Sequence, residues 1–294
     1  MAKGKCRILA IGIAVVAFAV TLGVAAVGCS GNSVDGSSSR QGSDVAAGSN
    51  DVTSGPEYVL TRSVSYEHDG RAVASTEDTL DEHGNVVERI EKSAAAAVTH
   101  TFAYERDENG FCTSYSVTAD GSAVGKPTVT TFSYENQYDD GGRLIQSDRN
   151  NQRDEYAYYP GGTLKMHQYA DYNAETGSPD NPLTSRKYEF TKEGLPEHME
   201  HISYDVSNCA ELTDYEWTYD AKGAPISCTR SNREEDLDGK VFDSGTEVLK
   251  VETDEAGNVV ALRHEDGSLM SEYEYARVDN PSLAVRSFPN MLNI

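Results

Sequence analysis

One glycine recurs through this chain in a fixed setting, and that setting restricts the fold more than any other feature. The windows TLDEHGNVV, YERDENGFC, QYDDGGRLI, YYPGGTLK, FTKEGLPE, TYDAKGAPI and ETDEAGNVV align on Gly84, Gly110, Gly142, Gly162, Gly194, Gly223 and Gly257. In five of them an Asp stands three residues earlier: Asp81, Asp107, Asp139, Asp220 and Asp254. An Asp there bonds the backbone two residues on. Two residues tolerant of right-handed helical torsions follow. The glycine then supplies the left-handed torsion that a type I turn with a bulge requires, at low steric cost. The intervals run from 20 to 34 residues, the size of one supersecondary unit.

The flanks carry the strand period. Four residues before the glycine stand Leu80, Tyr138, Tyr158, Phe190, Tyr219 and Thr253. Six before stand Tyr104, Tyr156, Tyr188, Trp217 and Val251; eight before stand Phe102, Tyr134, Tyr215 and Leu249. Steps of two put these side chains on one face of a sheet. Arg106 and Asp78 break the pattern at their positions. Two residues after the glycine come Val86, Cys112, Leu144, Leu164, Pro196, Pro225 and Val259, and the prolines suit strand starts or edges. Between these windows lie HDGR, ADGS, LDGK and EDGS, around Gly70, Gly121, Gly239 and Gly267. Asp-Gly between strand-like runs predicts two-residue hairpins. The expected fold is therefore all-β: an antiparallel up-and-down meander forming one large curved open sheet, with a closed barrel or a propeller-like form as the alternative. A short helix near Pro281–Val285 is the one departure.

The pattern Tyr-x-Tyr-Asp-x-x-Gly-x-apolar, clearest in WTYDAKGAPIS and visible in FAYERDENGF and YENQYDDGGRLI, resembles the YD (tyrosine-aspartate, or RHS) repeat of bacterial cell-surface and secreted proteins. The resemblance covers Tyr58 to about Tyr275. In large members of that family the repeats coil into a shell around a toxic C-terminal domain. Only about 20 residues follow Tyr275 here, so the encapsulating role does not carry over.

The N-terminus sets the compartment. Lys3, Lys5 and Arg7 precede an uncharged run, Ile8 to Val27, that ends in Ala26-Val27-Gly28-Cys29. This resembles a bacterial lipoprotein signal, which implies cleavage before Cys29 and lipidation of its thiol. An uncleaved transmembrane anchor is the other reading, since about 20 apolar residues span a bilayer. Both put the rest outside the cytoplasm. Residues 1–28 are thus read as signal peptide. Residues 29–56, rich in Ser, Gly, Asp and Asn, are read as a tether that buries too little apolar surface to order itself. Residues 57–294 form the β domain.

The chain carries 25 basic and 48 acidic residues. Such a balance repels phosphates and argues against binding nucleic acid or anionic lipid directly. Tyr outnumbers Phe 17 to 7, which favours a sheet face with rings packed and hydroxyls near water. Trp217, Tyr215, Tyr219, Tyr188, Tyr156, Tyr158 and Tyr104 are the candidate ligand contacts, because such rings stack on sugars or pack on partners.

Cys209 and Cys228 flank one hairpin and are the candidate disulfide. No nucleophile elbow, phosphate loop, dinucleotide fingerprint or Cys-x-x-Cys occurs, so no catalytic residue and no cofactor is assigned. EHMEH (His198, His201) would need helical spacing to serve one metal. DRNNQRDE alternates oxygen ligands but lacks the sixth-position glycine of a calcium loop and holds two arginines; EEDLDGKVFD is similar and also reads as an Asp-Gly turn. Two stretches, Asp171–Leu183 and Asn232–Gly245, exceed ordinary hairpin length and are candidate recognition loops. The leading expectation is a lipid-anchored surface protein whose sheet binds or supports envelope glycans or proteins. The alternatives are an extracytoplasmic hydrolase and a chaperone-like or secretion-accessory lipoprotein.

Overall fold

The structure, a computed structural model, describes residues 57–93, 98–121, 128–172, 182–204 and 208–288. The signal and tether assigned from sequence, with Cys29, lie outside the described residues. Seventeen strands follow in order: β1 (Glu57–Tyr66), β2 (Ala72–Leu80), β3 (Val86–Ser93), β4 (Val98–Arg106), β5 (Cys112–Gly121), β6 (Thr128–Ser133), β7 (Glu135–Tyr138), β8 (Leu144–Arg149), β9 (Gln152–Tyr158), β10 (Leu164–Asp171), β11 (Thr184–Phe190), β12 (Pro196–Ser203), β13 (Cys209–Tyr219), β14 (Pro225–Asp236), β15 (Val241–Thr253), β16 (Val259–Arg263) and β17 (Leu269–Val278). A five-residue helix, α1 (Leu283–Ser287), ends the described chain.

All pairings are antiparallel, and nearly all join chain neighbours. The last strand also pairs with the first, from Glu57↔Val278 to Ser65↔Ser271. The sheet therefore rolls up into a nearly closed barrel, the alternative that the sequence had left beside an open sheet. One seam is irregular. β6 pairs with β5, β7 pairs with β8, and only Tyr134 separates the two. Residues 128–138 act as one bent strand that hands its bonding from one neighbour to the other.

All seven aligned glycines have positive φ, between 77° and 95°. Each turn closes with the glycine N–H donating to the carbonyl three residues back, as Gly223 does to Asp220 at 3.1 Å. Where Asp fills that earlier place its Oδ1 accepts from two backbone N–H groups, as Asp220 does from Lys222 (2.8 Å) and Ala224 (2.9 Å). These turns lie along one rim, called here the first rim, together with Glu57 at the start of β1. The turns at Gly70, Gly239 and Gly267 line the second rim. They repeat the same three-residue closure, so they are type I turns with a bulge and not the two-residue hairpins expected. In ADGS, Ala119 to Gly121 belong to β5, with Gly121 paired across from Val98, and Ser122 lies outside the described residues.

Alternate residues point inward. Around the first rim the interior is apolar: Phe111, Leu144, Leu164 and Phe190 are at most 1% exposed and pack with Tyr156 and Tyr188. A second cluster joins Val259, Leu262 and Tyr273 to Leu60, Trp217 and Tyr275. The outward face carries cross-strand ion pairs instead, among them Lys92–Glu77, Arg153–Asp148, His198–Asp214 and Arg263–Glu252. A barrel facing lipid would need an apolar outer band there.

After β17 the chain turns across the first rim. Ser282 N donates to His83 O, and Ala284 N donates to Asn109 O. Ser282 caps α1 through its Oγ, which accepts from Val285 N at 3.2 Å. Phe288 then sets its ring edge-on against Phe111, Tyr156 and Tyr158. The helix thus covers the turns at Gly84, Gly110 and Gly142, whereas Gly223 and Gly257 face open space and Gly194 is itself buried.

Two sequence expectations are corrected. Cys228 is a free thiol, and so is Cys112. Cys209 pairs across from Asp236, whereas Cys228 pairs across from Trp217. Eight residues of strand, about 26 Å at strand rise, separate the two positions, far beyond disulfide reach. Asn232–Gly245 is not a loop but the outer part of the β14–β15 hairpin; the turn itself is Asp236–Lys240. Within Asp171–Leu183, residues 173–181 lie outside the described residues.

Candidate functional site

On the uncovered half of the first rim, three successive turns enclose an open cleft of about 560 Å³. Its base is Leu195, Pro225, Val259 and Tyr275. Its walls are the turns themselves, with Glu193, Asp220, Lys222, Asp254 and Glu255 facing it. Tyr219 lines one side and is 37% exposed. The base is held rigidly. Tyr275 Oη donates to Val259 O at 2.9 Å. Beneath it, Trp217 Nε1 donates to Pro196 O at 2.7 Å.

The electrostatics of the cleft follow from the turns. The Asp220 carboxyl lies below the usual range because the N–H groups of Ala224 and Lys222 donate to its charged form. At Asp254 burial works the other way, but the Asn258 side chain and backbone outweigh it and the carboxyl is again held low. Both stay anionic at any physiological pH. Among the described residues Lys222 is the one lysine or arginine that lines the cleft, so the site favours uncharged or cationic groups. The Tyr219 phenol is pushed up, by burial first and then by Glu193.

The seven rings singled out from sequence do share a face, and it is the inner one. Tyr215, Tyr188 and Tyr156 are 5%, 6% and 6% exposed. Tyr156 stacks on His167 with centroids 4.8 Å apart. Tyr158 Oη donates to Leu144 O at 2.6 Å. Tyr104 is half-buried under Arg106, whose guanidinium lies 5.3 Å from the ring centroid. Closing the barrel turned the aromatic row into core, so Tyr219, on the open half of the rim, is the member with its ring most available to a ligand.

The two exceptions to the repeat pattern have structural reasons. Asp78 is a bidentate partner of Arg89 across the β2–β3 pair, at 2.6 Å twice. Arg106 ties its own turn to the preceding strand, β3, by donating to Gly110 O and Val86 O. Three interior polar groups were not found by sequence reasoning. Glu91, beside that pair, is raised to about 7, chiefly by burial. His167 and Asp154 form a buried pair at 2.8 Å. Arg149 fills the β6/β7 seam, lying over Phe132 (5.1 Å) and Tyr134 (5.3 Å). No local motif marks them, because the surroundings of each are supplied by neighbouring strands.

His198 and His201 sit on opposite faces of β12, paired with Asp214 and Glu211. Asp148 bonds Arg153 across the β8–β9 hairpin. Among the described residues no group of three or more His, Cys, Asp or Glu is placed to hold a metal ion.

No protein-family model matches the chain, and no curated protein matches it. Among solved structures, a porin-like protein from Bacteroides uniformis is similar at 10% identity, with a TM-score of 0.35, over 74% of this chain and 96% of that one. A likeness at that level carries no argument here.

Proposed function

We propose that this chain is a lipid-anchored, extracytoplasmic binding module that presents the first-rim cleft to an envelope glycan. The observation that carries the reading is the pairing of one exposed ring, Tyr219, with a ring of acidic and backbone groups on a rigid base. An aromatic face stacks on a sugar, and fixed polar groups around it orient the hydroxyls. The acidic walls favour a sugar bearing an amine over an anionic one. The barrel interior at this end is packed side chains, sealed on its other half by α1, which suits a scaffold for a rim site better than a channel. Turns on a rigid frame are a common place for recognition.

The placement suits an anchor. Glu57 begins β1 at the same rim as the cleft. A flexible tether of the length read from sequence spans about 30 Å, so lipid on Cys29 would hold the cleft near the membrane surface. Two measurements test this. A clickable palmitate analogue should label the chain in its bacterial host, and Cys29→Ala should abolish labelling. On a glycan array the chain should bind a family of neutral or amine-bearing glycans, and Tyr219→Ala should weaken binding at least tenfold. Array silence, or binding indifferent to Tyr219→Ala, would remove the cleft reading.

A further inference from the structure

The β14–β15 hairpin is taller than the sheet beside it. β15 pairs with β14 along its length, from Ser227↔Lys250 to Glu235↔Val241. On its other side it pairs with β16 only over Lys250–Thr253. The β16–β17 hairpin stops there, where Lys250 Nζ donates to Glu265 O at 2.5 Å. Among the described residues nothing pairs with the remaining edge, Val241–Leu249. Six consecutive residues, Val241 to Thr246, are exposed. The edge backbone is open as well. Ser244 N–H donates to its own neighbour, Asp243 Oδ1, at 2.9 Å, so it points away from β14.

Such an edge is a template for another strand. Two features say which strand. Glu211, Glu234 and Asp243 stand directly opposite one another on β13, β14 and β15. Like charges in register repel, and burial together with Glu211 and Asp243 raises the Glu234 carboxyl. His201 answers Glu211 at 3.6 Å. No Lys, Arg or His among the described residues pairs with Glu234 or Asp243. The row runs out at the open edge, and the next strand would supply its missing cation. The other face of the edge is apolar at its ends, with Phe242 41% and Val248 46% exposed.

We propose that the edge Val241–Leu249 receives an extended segment of a partner protein, with Lys or Arg facing Asp243 and apolar residues on the alternate positions. A second copy is disfavoured. Antiparallel self-pairing about Gly245 sets Asp243 opposite the second copy's Glu247, acid against acid, in a chain of net charge -23. This site lies at the second rim, away from the cleft, and stands independently of the anchor and of glycan binding.

The test uses the full chain and a fluorescent seven-residue peptide alternating Val and Lys, with a Val–Glu peptide as control, read by anisotropy. The Val–Lys peptide should bind saturably and weaken as salt rises. Ser244→Pro removes an edge donor without touching the β14 ladder and should reduce affinity at least tenfold. Asp243→Lys should reduce it similarly and admit the Val–Glu peptide. Tyr219→Ala should leave it unchanged. Circular dichroism and melting of each variant separate lost binding from lost fold. Equal binding of both peptides to the unaltered chain would overturn the proposal. So would indifference to Ser244→Pro and Asp243→Lys, or sensitivity to Tyr219→Ala. A dimer that Ser244→Pro dissolves in analytical ultracentrifugation would assign the edge to a second copy instead.

Discussion

The turns at Gly110 and Gly223 are the same object in two settings. Both glycines have φ of 88°. Both follow an Asp whose Oδ1 accepts from the second and fourth residues on. Around Gly110 the backbone is pressed against Asn85 and Ser282, whereas around Gly223 there is open space. Local chemistry makes the turn; what arrives from a distant part of the chain decides whether it becomes core or site. At the Gly110 end, α1 and Phe288 seal the rim. At the Gly223 end nothing described crosses it, and the same turn geometry lines a cleft.

The largest expected effect separates the two. A methyl at either glycine is strained by the positive φ, at about 1–2 kcal/mol. At Gly110 it must also displace Asn85 Oδ1 and Ser282 Oγ, which bond each other at 2.6 Å. Gly110→Ala should therefore cost about 3 kcal/mol or more, and Gly223→Ala no more than about 2, in urea midpoints at constant slope. Equal costs would mean that α1 does not hold the covered half. Next, Phe288→Ala removes a ring packed on three others and should cost about 2 kcal/mol. Tyr219→Ala, whose ring is partly exposed, should stay within about 1 kcal/mol.

A third contrast is in pH. Asp81 and Asp139 on the covered half, like Asp220 and Asp254 on the open half, are held below the usual carboxylate range. At Asp81, Asp139 and Asp254 burial pushes the other way and the hydrogen bonds outweigh it; at Asp220 the backbone bonds lead. Their stabilisation is complete above the unfolded value near 4 and is lost as pH falls through the lower folded values. Asp254→Asn should flatten the acid limb of the melting curve. Glu91 has the opposite sign. Its carboxyl is raised to about 7, so the folded state keeps a proton that the unfolded state has lost. Stability then falls as pH rises from about 4.5 to about 7 and is level beyond. Glu91→Gln should remove that slope and stabilise the chain at pH 8 by about 1 kcal/mol once partial exposure is allowed for. A variant that loses stability at pH 8 would show that the Glu91 charge is compensated in place.

Much of this architecture was legible because it is local. Each glycine of the seven windows reports its own torsion, and the step-two apolar flanks report their own face. The helix expected near Pro281 lies two residues further on. What was not legible depends on closure. From one repeat, Tyr156 and Tyr188 read as a surface row; only when β1 reaches β17 do they become interior. The pairing of Cys209 with Cys228 looked natural in a hairpin, but a hairpin sets residues opposite by their distance from the turn, and these two differ by eight. Asn232–Gly245 looked like a loop because it exceeds ordinary hairpin length, yet Asn232, Arg233 and Ser244 alternate as strand residues on a hairpin open to water on one edge. The short-range code fixes corners; long-range register decides what the corners enclose.

The central claim is that β1 completes the ring against β17 while the outer half of β15 stays open. Backbone hydrogen exchange, resolved by residue, tests both parts at once. The closed-ring account predicts slow exchange for the β1–β17 ladder, within tenfold of the β4–β5 amides, and fast exchange at Ser244 and Thr246. Rapid exchange along both Arg62–Ser65 and Ser271–Glu274 would mean the ring is open, and the interior assigned to the tyrosine row would fall with it.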